Sequence, residues 1–346
     1  MKFDYLIVGS GLAGLMLCET LRKRGKSFKV ISNSSQQASV VASGLYNPVV
    51  LKRFNKAWNA DTQLPLALST YKDLEIFLAI KVDYQLPIYR IFHAIDEQNN
   101  WFLACDKPDL HHFLIPKVIN NDNTNINAPF GYGKVKQTGR VDTKLLLKSY
   151  VSSLKSNGLY LEEKFNYEAL ELETGVKYKD LLAKQLIFAE GFGMKQNPFF
   201  NKLPLEGTKG ELLLIHAPDL NSKVILKSSV FVIPMKSDKY LVGSTYAWKD
   251  YTNAPTKFAR TSLISKLQKL LNCSFEIIEQ RAGIRPTVID RRPLVGQHKV
   301  HNNLYILNGL GSRGVLIAPT VAKNLIDFIE NGLALPKDID INRFTA

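Results

Sequence analysis

Two glycine-rich turns, one near each end of the chain, constrain the fold most strongly. Residues 3–14 read FDYLIVGSGLAG, and residues 304–319 read LYILNGLGSRGVLIAP. Each is a short apolar segment typical of a buried strand, followed by Gly-x-Gly-x-x-Gly and a helical pattern. Such a turn brings backbone N–H groups and a helix N-terminus close to a phosphate or an electron-rich ring. The pair therefore predicts an α/β protein in which both turns serve one cofactor site.

The first turn predicts a compact βαβ unit. Gly9 permits the tight turn, Gly11 lets the backbone approach a pyrophosphate, and Gly14 lets the helix pack on the strand. A second strand is predicted from Phe28 to Ile31. The unit has the length and order expected of a dinucleotide-binding motif.

The end of the second strand departs from the usual pattern. An acidic residue about 20 residues after the glycines usually binds the ribose hydroxyls. Here the strand ends in Ser32-Asn33, and no Arg or Lys follows that could bind a ribose 2′-phosphate. We therefore expect neutral hydrogen bonds from Ser32 and Asn33 to the ribose.

The second turn does not begin a second nucleotide domain. After Gly314 the sequence predicts one helix, roughly Pro319 to Glu330, and a short tail follows Asn331-Gly332. No further strand completes a βαβ unit. The N-terminus of this helix is therefore expected to point at the cofactor bound by the first turn, where its partial positive charge would stabilise an anionic reduced ring.

Length and charge narrow the function classes. The 346 residues can form one large core or two interleaved domains, and the net charge of +14 could attract an acidic small molecule, RNA or a membrane surface. The basic residues are scattered, which is also typical of a solvated surface. No apolar run reaches the roughly 18 residues of a membrane span, and we expect a cytoplasmic protein. The cysteines and histidines show no metal-ligand spacing, and the oligomeric state is not readable.

The middle of the chain predicts an interleaved second domain. Strand-like segments at 212–215, 224–227, 230–234 and 240–245 suggest an antiparallel sheet, followed by a helix at about 257–271. Residues 84–132 are interpreted as short strands and loops. We predict a discontinuous cofactor domain at 1–58, 135–205 and 281–346, and a substrate domain at 59–134 and 206–280.

Seven motifs occur in a fixed order over nearly the whole chain: GSGLAG, ASGLYNP, LIFAEGFG, VFVIPMKSDKYLVGSTYAW, GIRP, DRRPLVG and GLGSRG. In this order the chain resembles the D-amino-acid oxidase-like family of FAD-dependent oxidoreductases, which includes glycine, sarcosine and D-amino-acid oxidases. The resemblance implies a Rossmann-like FAD-binding domain with an interleaved antiparallel-sheet substrate domain. It also implies hydride transfer from a C–N bond to flavin N5. We expect the FAD to be bound non-covalently, with covalent attachment through Cys105 or Cys273 as the alternative.

The resemblance and the two turns together predict the site residues. Ser43 and Gly44 resemble the loop that passes over the flavin, and Lys209 and Gly210 are weaker candidates near it. The cofactor-binding residues are predicted to be Gly9, Gly11, Leu12, Ala13, Gly14, Ser32, Asn33, Ser43, Gly44, Gly191, Gly309, Gly311, Ser312, Arg313, Gly314 and Val315.

The GIRP motif supplies the main substrate candidate. The resemblance implies that Arg285 binds a substrate carboxylate, and a planar guanidinium suits such a bidentate pair. The alternative is a structural salt bridge, for example to Asp290. Phe231, Tyr240 and Tyr246 are predicted to line the substrate pocket, with sheet packing as the alternative. Arg285, Tyr246 and Arg313 are the predicted catalytic residues.

Three functions remain open at this stage. The first is oxidation of a small amino acid or N-substituted amine, giving an imine that water hydrolyses. The second is an FAD-dependent oxidase of carboxymethylaminomethyluridine in tRNA, whose substrate is itself an N-substituted glycine. The third is a non-catalytic flavin-binding protein.

Overall fold

A computed structural model describes residues 2–33, 35–173 and 175–344. Over this part of the chain the α-helices are α1 (Leu12–Lys23), α2 (Ala38–Val41), α3 (Ala60–Leu78), α4 (Ile95–Cys105), α5 (Thr143–Ser156), α6 (Lys257–Gln268) and α7 (Gly314–Asn331). Within the described residues, none of these helices is long and apolar enough to span a bilayer.

The strands of the N-terminal half are β1 (Lys2–Val8), β2 (Phe28–Ser32), β3 (Leu45–Tyr46), β4 (Val49–Val50), β5 (Asn55–Lys56), β6 (Asp83–Gln85), β7 (Ile88–Ile91), β8 (Leu114–Ile119), β9 (Tyr132–Val135), β10 (Gly139–Val141) and β11 (Tyr160–Glu162). Those of the C-terminal half are β12 (Leu170–Glu171), β13 (Val176–Tyr178), β14 (Leu181–Phe188), β15 (Leu205–His216), β16 (Ile225–Lys227), β17 (Phe231–Pro234), β18 (Lys239–Gly243), β19 (Glu276–Val288), β20 (Leu294–Gln297) and β21 (Leu304–Asn308).

The first large sheet brings the two glycine turns to one edge. Its parallel centre has the order β11-β2-β1-β14, and β21 runs parallel to the second half of β14. The first half of β14 pairs instead with antiparallel β13. Because parallel strands end at the same edge, the turns after β1 and β21 are neighbours. A Cβ at Gly314 would lie 3.3 Å from a methyl carbon of Leu12, so α7 starts against α1.

Helix α7 begins at Gly314, five residues before the predicted start at Pro319. Proline lacks the N–H that would bond the carbonyl four residues earlier, which is that of Val315. The hydroxyl of Tyr71 in α3 donates to this Val315 oxygen at 2.7 Å, within the core. The tertiary contact therefore satisfies the carbonyl that Pro319 leaves free, and the helix continues through the proline.

The second large sheet has the order β19-β15-β18-β17-β16-β7-β9-β8. All its neighbours are antiparallel except β16 and β7, which confirms the antiparallel sheet predicted from residues 212–245. In this part of the molecule, α4 and β19 are among the elements that were not predicted. Strand β19 contains Pro286 and several charged residues, which is compatible with its position at the sheet edge.

The two faces of the second sheet contact different cores. Phe231, Ile233 and Leu241 belong to the large core that also contains residues of α1, α3 and α7. Val232 and Tyr240 lie in a separate core, beside α6. The first of these faces therefore shares its core with helices α1, α3 and α7.

Candidate functional site

A cavity of about 1000 Å³ lies between the two large sheets. Both glycine turns, the loop before β3 and one face of the second sheet line it. Most predicted cofactor residues are on its wall, namely Gly9, Gly11, Leu12, Ala13, Ser32, Asn33, Ser43, Gly44, Gly191, Gly311, Ser312, Arg313, Gly314 and Val315. Gly14 and Gly309 are not on the wall. Both lie behind it, where other parts of the protein pack closely against them.

The first turn is built so tightly that side chains are excluded at two glycines. Gly9 has φ +109°, and a Cβ there would lie 2.4 Å from the Ala189 carbonyl oxygen. A Cβ at Gly14 would lie 1.9 Å from the carbonyl oxygen of Gly9, so Gly14 lets α1 close on the turn. At Gly11 the nearest atom would be Ser39 Oγ, at 3.4 Å. The space above Gly11 is therefore free for a ligand.

The helix ends at the cavity favour an anion. Neither α1 nor α7 has an acidic residue in its first turn. The partial positive charge of each N-terminus is therefore not neutralised locally. One N–H group is already occupied, because Leu12 N donates to Ser39 Oγ at 3.1 Å. The remaining N-terminal backbone suits a diphosphate.

Hydroxyl groups occupy the position where an acidic residue was expected. Ser32 Oγ accepts from Ser10 N at 3.2 Å and lies 3.0 Å from Ser10 Oγ, which lies 3.3 Å from the Tyr160 hydroxyl. Asn33 Oδ1 accepts from Ser35 N and Oγ, so it also fixes the local turn. Glu162 lies beside Ser32 in register, but its carboxylate pairs with Lys155 at 2.6 Å. This end of the cavity can bind a ribose through neutral groups.

The second turn is tied to the first sheet by Asn308, a residue that was not predicted. Its amide Nδ2 donates to Gly191 O at 2.9 Å, and its Oδ1 accepts from Gly309 N at 2.8 Å. Gly311 N donates to Pro286 O at 2.9 Å, which joins the turn to β19. The feature of the sequence that could have predicted this role is the position of Asn308, immediately before the second glycine turn.

The loop before β3 is held closely against β10. Gly44 has φ +71°, and a Cβ there would lie 1.8 Å from the Val141 carbonyl oxygen. Val141 N donates to Gly44 O at 3.0 Å. Ser43 and Gly44 therefore lie on the cavity wall in a fixed conformation.

Arg285 lies on the cavity wall, and no carboxylate of the described residues pairs with it. Its Nη2 donates to Ser244 Oγ at 2.9 Å and its Nη1 to Thr245 O at 3.3 Å. The side chain crosses Gly210, where a Cβ would lie 1.9 Å from Nη2. Burial lowers the pKa of the guanidinium. Among the described residues Asp290 pairs with Arg343 instead, so the alternative of an Arg285–Asp290 salt bridge is wrong.

Arg313 is a second cation at the same cavity. It precedes α7 directly, and burial lowers its pKa. No ion pair within the described ranges includes Arg313 or Arg285, and both line the cavity. Two partly buried guanidinium groups without counter-charges favour an anionic ligand at this end.

The predicted aromatic residues divide between the two faces of the sheet. Phe231 and Tyr246 line the cavity. Tyr240 does not, and its prediction as a substrate-binding residue is wrong. It is buried in the opposite core, where its hydroxyl accepts from Ser222 N at 3.1 Å. Phe231 pairs with Gly243 in register, so Tyr240, three positions away, points to the other face.

The two weaker candidates, Lys209 and Gly210, differ in whether they line the cavity. Gly210 lines the cavity, whereas Lys209 is buried and pairs with Asp250 at 2.6 Å. Over the part of the chain described here no cysteine is on the cavity wall, and no cluster of metal ligands is present.

Comparisons with known proteins agree with this geometry. A family model described as FAD dependent oxidoreductase (DAO) matches residues 4–328. Glycine oxidase from Bacillus subtilis (strain 168) is 26% identical over 353 aligned residues, which cover 95% of this chain and 93% of that protein. The tRNA 5-methylaminomethyl-2-thiouridine biosynthesis bifunctional protein MnmC from Idiomarina loihiensis is 27% identical over 345 residues, covering 92% of this chain but 54% of that protein.

Solved structures show the same fold. Glycine oxidase from Bacillus cereus superposes with a TM-score of 0.78 at 20% identity, covering 96% of both chains. Iminodiacetate oxidase from Chelativorans sp. BNC1 superposes with a TM-score of 0.78 at 18% identity, covering 97% of this chain and 98% of that one.

Proposed function

The chain belongs to the DAO family of FAD-dependent oxidoreductases, and we propose that it oxidises the C–N bond of a small amino acid or an N-substituted glycine. The observation that carries this proposal is the unpaired Arg285 guanidinium on the cavity wall. Family membership also makes the chain an FAD-dependent enzyme rather than a non-catalytic flavin-binding protein.

The residues present fit FAD. The backbone above Gly11 and the N-terminus of α1 would hold the diphosphate, and the hydroxyls of Ser10, Ser32 and Tyr160 would hold the ribose. Ser43, Gly44 and the start of α7 would contact the flavin. Bound FAD would supply the hydride acceptor for oxidation of the C–N bond.

Arg285 would fix the carboxylate of the substrate. A guanidinium has five N–H donors, and the two recorded hydrogen bonds to Ser244 and Thr245 leave the others for a ligand. Those two contacts also set the orientation of the planar group. A carboxylate paired bidentately with it would hold the neighbouring amine in one position, which is the positioning that this reaction needs from the protein.

The chain does not need a strong base for this reaction. An amine that enters neutral can lose a hydride directly, and water then hydrolyses the imine. Arg285 and Arg313, both at the cavity and without an ion pair among the described residues, favour the carboxylate and disfavour a protonated amine, because like charges repel in a desolvated site. The protein therefore contributes binding, orientation and electrostatics.

An anaerobic titration of the FAD-loaded enzyme tests the proposal. Glycine, sarcosine, D-alanine, proline and N-alkyl glycines are added in turn while the visible absorbance of FAD is followed. Reduction by at least one of these compounds is expected. If none of them, and no N-substituted glycine carried on RNA, bleaches FAD, the proposed function is wrong.

A second candidate function, oxidation of an N-substituted glycine carried on tRNA, is supported by a specific surface. The loop of residues 244–256 borders the cavity and exposes Tyr246 (60%), Trp248 (49%) and Tyr251 (53%). Lys249 is exposed on the same loop. Exposed aromatic rings beside cations suit stacking with unpaired bases of an RNA loop.

The negative charge of Asp250 on this loop is neutralised by an ion pair with Lys209. Asp250 accepts from the buried Lys209 ammonium at 2.6 Å, and the same ammonium donates to Ala254 O and Thr252 Oγ1. The anchored loop therefore presents the exposed aromatic rings and Lys249 beside the cavity. If only modified tRNA reduces FAD, this candidate replaces the free amino acid.

The predicted domain division is retained as part of the proposal. The first large sheet is built from strands within 2–32, 160–188 and 294–308, and the second from strands within 88–135 and 205–288. This alternation supports a discontinuous cofactor domain and an interleaved substrate domain.

A further inference from the structure

Lys227 lies on the cavity wall but has no role in the site described so far. In the hairpin of β16 and β17, Ile225, Lys227, Ser229 and Phe231 line the cavity, whereas Leu226 belongs to the opposite core. Lys227 pairs in register with Phe231, so the two side chains lie next to each other on the same face. The lysine is therefore part of the wall opposite the cofactor domain.

The ammonium of Lys227 lacks a counter-charge. Its Nζ donates to the carbonyl oxygen of Ser228 at 2.7 Å, and no carboxylate of the described chain forms an ion pair with it. Burial, together with Arg90 and Lys266, lowers the pKa of Lys227 to about 8. The apoprotein thus holds this cation at a cost.

Arg90, the nearest cross-strand neighbour of Lys227, increases the free-energy cost of holding the charged ammonium. Arg90 of β7 is directly opposite Lys227, and its one ion pair among the described residues, to Glu97, is long at 3.4 Å. Arg90 Nε is buried without a hydrogen-bond partner among the described residues. Like charges opposite each other on neighbouring strands destabilise a sheet. A neutral or apolar residue at position 227 would avoid the repulsion, so packing alone gives no reason for a lysine.

Lys227 and Arg285 face the same cavity from different strands. The Arg285 guanidinium lies over Gly210 of β15, and β15, β18, β17 and β16 are consecutive neighbours in the sheet. Three strand spacings separate β15 from β16, which is about 14 Å between backbones. Phe231 lies on the wall between them. A ligand that contacts both cations must be elongated, and glycine is too short.

We propose that Lys227 binds a second anionic group of the substrate, at the end opposite the carboxylate bound by Arg285. This inference rests on the proposed function. The substrate would then be an N-substituted glycine with a distal anion, either a carboxylate or a phosphate such as that of a nucleotide. Phe231 would contact the uncharged part between the two anionic ends.

Ligand binding tests the inference independently of turnover. The FAD-loaded enzyme is titrated with two pairs of compounds, and the change in the flavin absorption spectrum gives each Kd. The carboxylate pair is hexanoate and pimelate; the phosphate pair is 5-carboxymethylaminomethyluridine and its 5′-monophosphate. The compounds of the second pair are examined anaerobically, so that FAD reduction is recorded in the same titration.

In the wild type, the compound with the distal anion should bind at least about 10-fold more tightly in at least one pair. Lys227→Met should remove this difference and leave the Kd of the compound without the distal anion unchanged. Lys227→Arg keeps the charge and should keep a preference. The control Lys223→Met removes an exposed lysine outside the cavity wall and should behave as wild type.

The outcomes separate the two proposals. A preference in the carboxylate pair alone, or in the phosphate pair alone, identifies the anion that Lys227 binds. No preference in either pair, or an equal preference in wild type and Lys227→Met with FAD content intact, overturns the inference. Failure of every amine to reduce FAD, with the preference present, would overturn only the proposed reaction.

Discussion

The guanidinium carbon of Arg285 lies 4.5 Å from the centre of the Tyr246 ring. The ring therefore covers one side of the cation that we assign to the substrate carboxylate, and Ser244 and Thr245 hold its edge. Removing the ring should loosen the guanidinium. We expect Tyr246→Ala to raise KM about 3- to 10-fold through loss of the cation–π contact, whereas Tyr246→Phe should stay near wild type. Steady-state kinetics of both variants on one amine substrate would show this, and equal KM values for Ala and Phe would contradict it.

Replacement of Arg285 should separate substrate binding from cofactor binding. Arg285→Ala should weaken carboxylate binding by about 100-fold, because a charge-assisted pair is lost, and leave FAD content unchanged. Arg285→Lys should recover part of the affinity but not the bidentate geometry. The exposed Arg53 serves as a control, since Arg53→Ala removes the same charge from a residue that is not on the cavity wall. Equal loss of substrate and FAD on Arg285→Ala would mean that the residue is structural.

Alanine substitutions at two glycines of the first turn should have different effects, one on stability and one on FAD binding. A Cβ at Gly14 would lie 1.9 Å from the Gly9 carbonyl oxygen, so Gly14→Ala should lower the free energy of unfolding of the apoprotein by at least about 2 kcal/mol. In Gly11→Ala the new Cβ would come no closer than 3.4 Å to a protein atom, Ser39 Oγ, and the backbone at Gly11 is extended with φ −72°, which any residue adopts. This substitution should leave apoprotein stability near wild type and weaken FAD binding. Thermal melts of the apoproteins and FAD titrations distinguish the two.

The hydroxyl cluster at the end of β2 should contribute to FAD affinity. Ser32→Ala removes the acceptor for Ser10 N and one ribose partner, and we expect about 5- to 10-fold weaker FAD binding. Tyr160→Phe should have a smaller effect in the same direction. Fluorescence titration of the apoprotein with FAD measures both. Unchanged Kd values in the double variant would show that the ribose binds elsewhere.

Lys227 should make stability depend on pH in the alkaline range. Its pKa is lowered from 10.5 to about 8 by burial and by Arg90 and Lys266, while Glu97 partly offsets Arg90. The unfolded chain therefore binds more protons between about pH 8 and pH 10.5, and wild-type stability should gain a rising contribution with pH over that window. Lys227→Met should be about 1 to 3 kcal/mol more stable than wild type at pH 7, with the gain fading by pH 10.5. Urea unfolding at several pH values checks this, and a pH-independent difference would contradict it.

Local patterns were sufficient to predict the two glycine turns and insufficient to predict the residues that surround them. The two glycine turns are contiguous in sequence, so Gly9, Gly14 and Gly311 could be predicted directly. Tyr160 reaches Ser10 across 150 positions because β11 happens to pair with β2, and no local pattern encodes that pairing. Asn308 similarly acts on Gly191 from 117 positions away.

The substrate side shows the same limit. Arg285 was found through the GIRP motif, but the strand that carries it was missed because its exposed half lacks alternation. Tyr240 was placed on the wrong face because register decides which of two neighbouring residues enters the cavity. The residues next to Lys227 in sequence do not mark it as a site residue. Its cross-strand neighbours Arg90 and Phe231 show that its charge is not balanced by a carboxylate on the adjoining strands.

The position of β1 between β2 and β14, with β21 beyond it, has a consequence for biosynthesis. The first glycine turn is translated early, but its sheet neighbour β14 and the opposing turn before α7 leave the ribosome much later. Domains generally fold from the N-terminal end as synthesis proceeds, and contacts distant in sequence form slowly. Residues at the start of α7 line the cavity, so the cavity wall is not complete until α7 has emerged, and we expect FAD to bind only after that point.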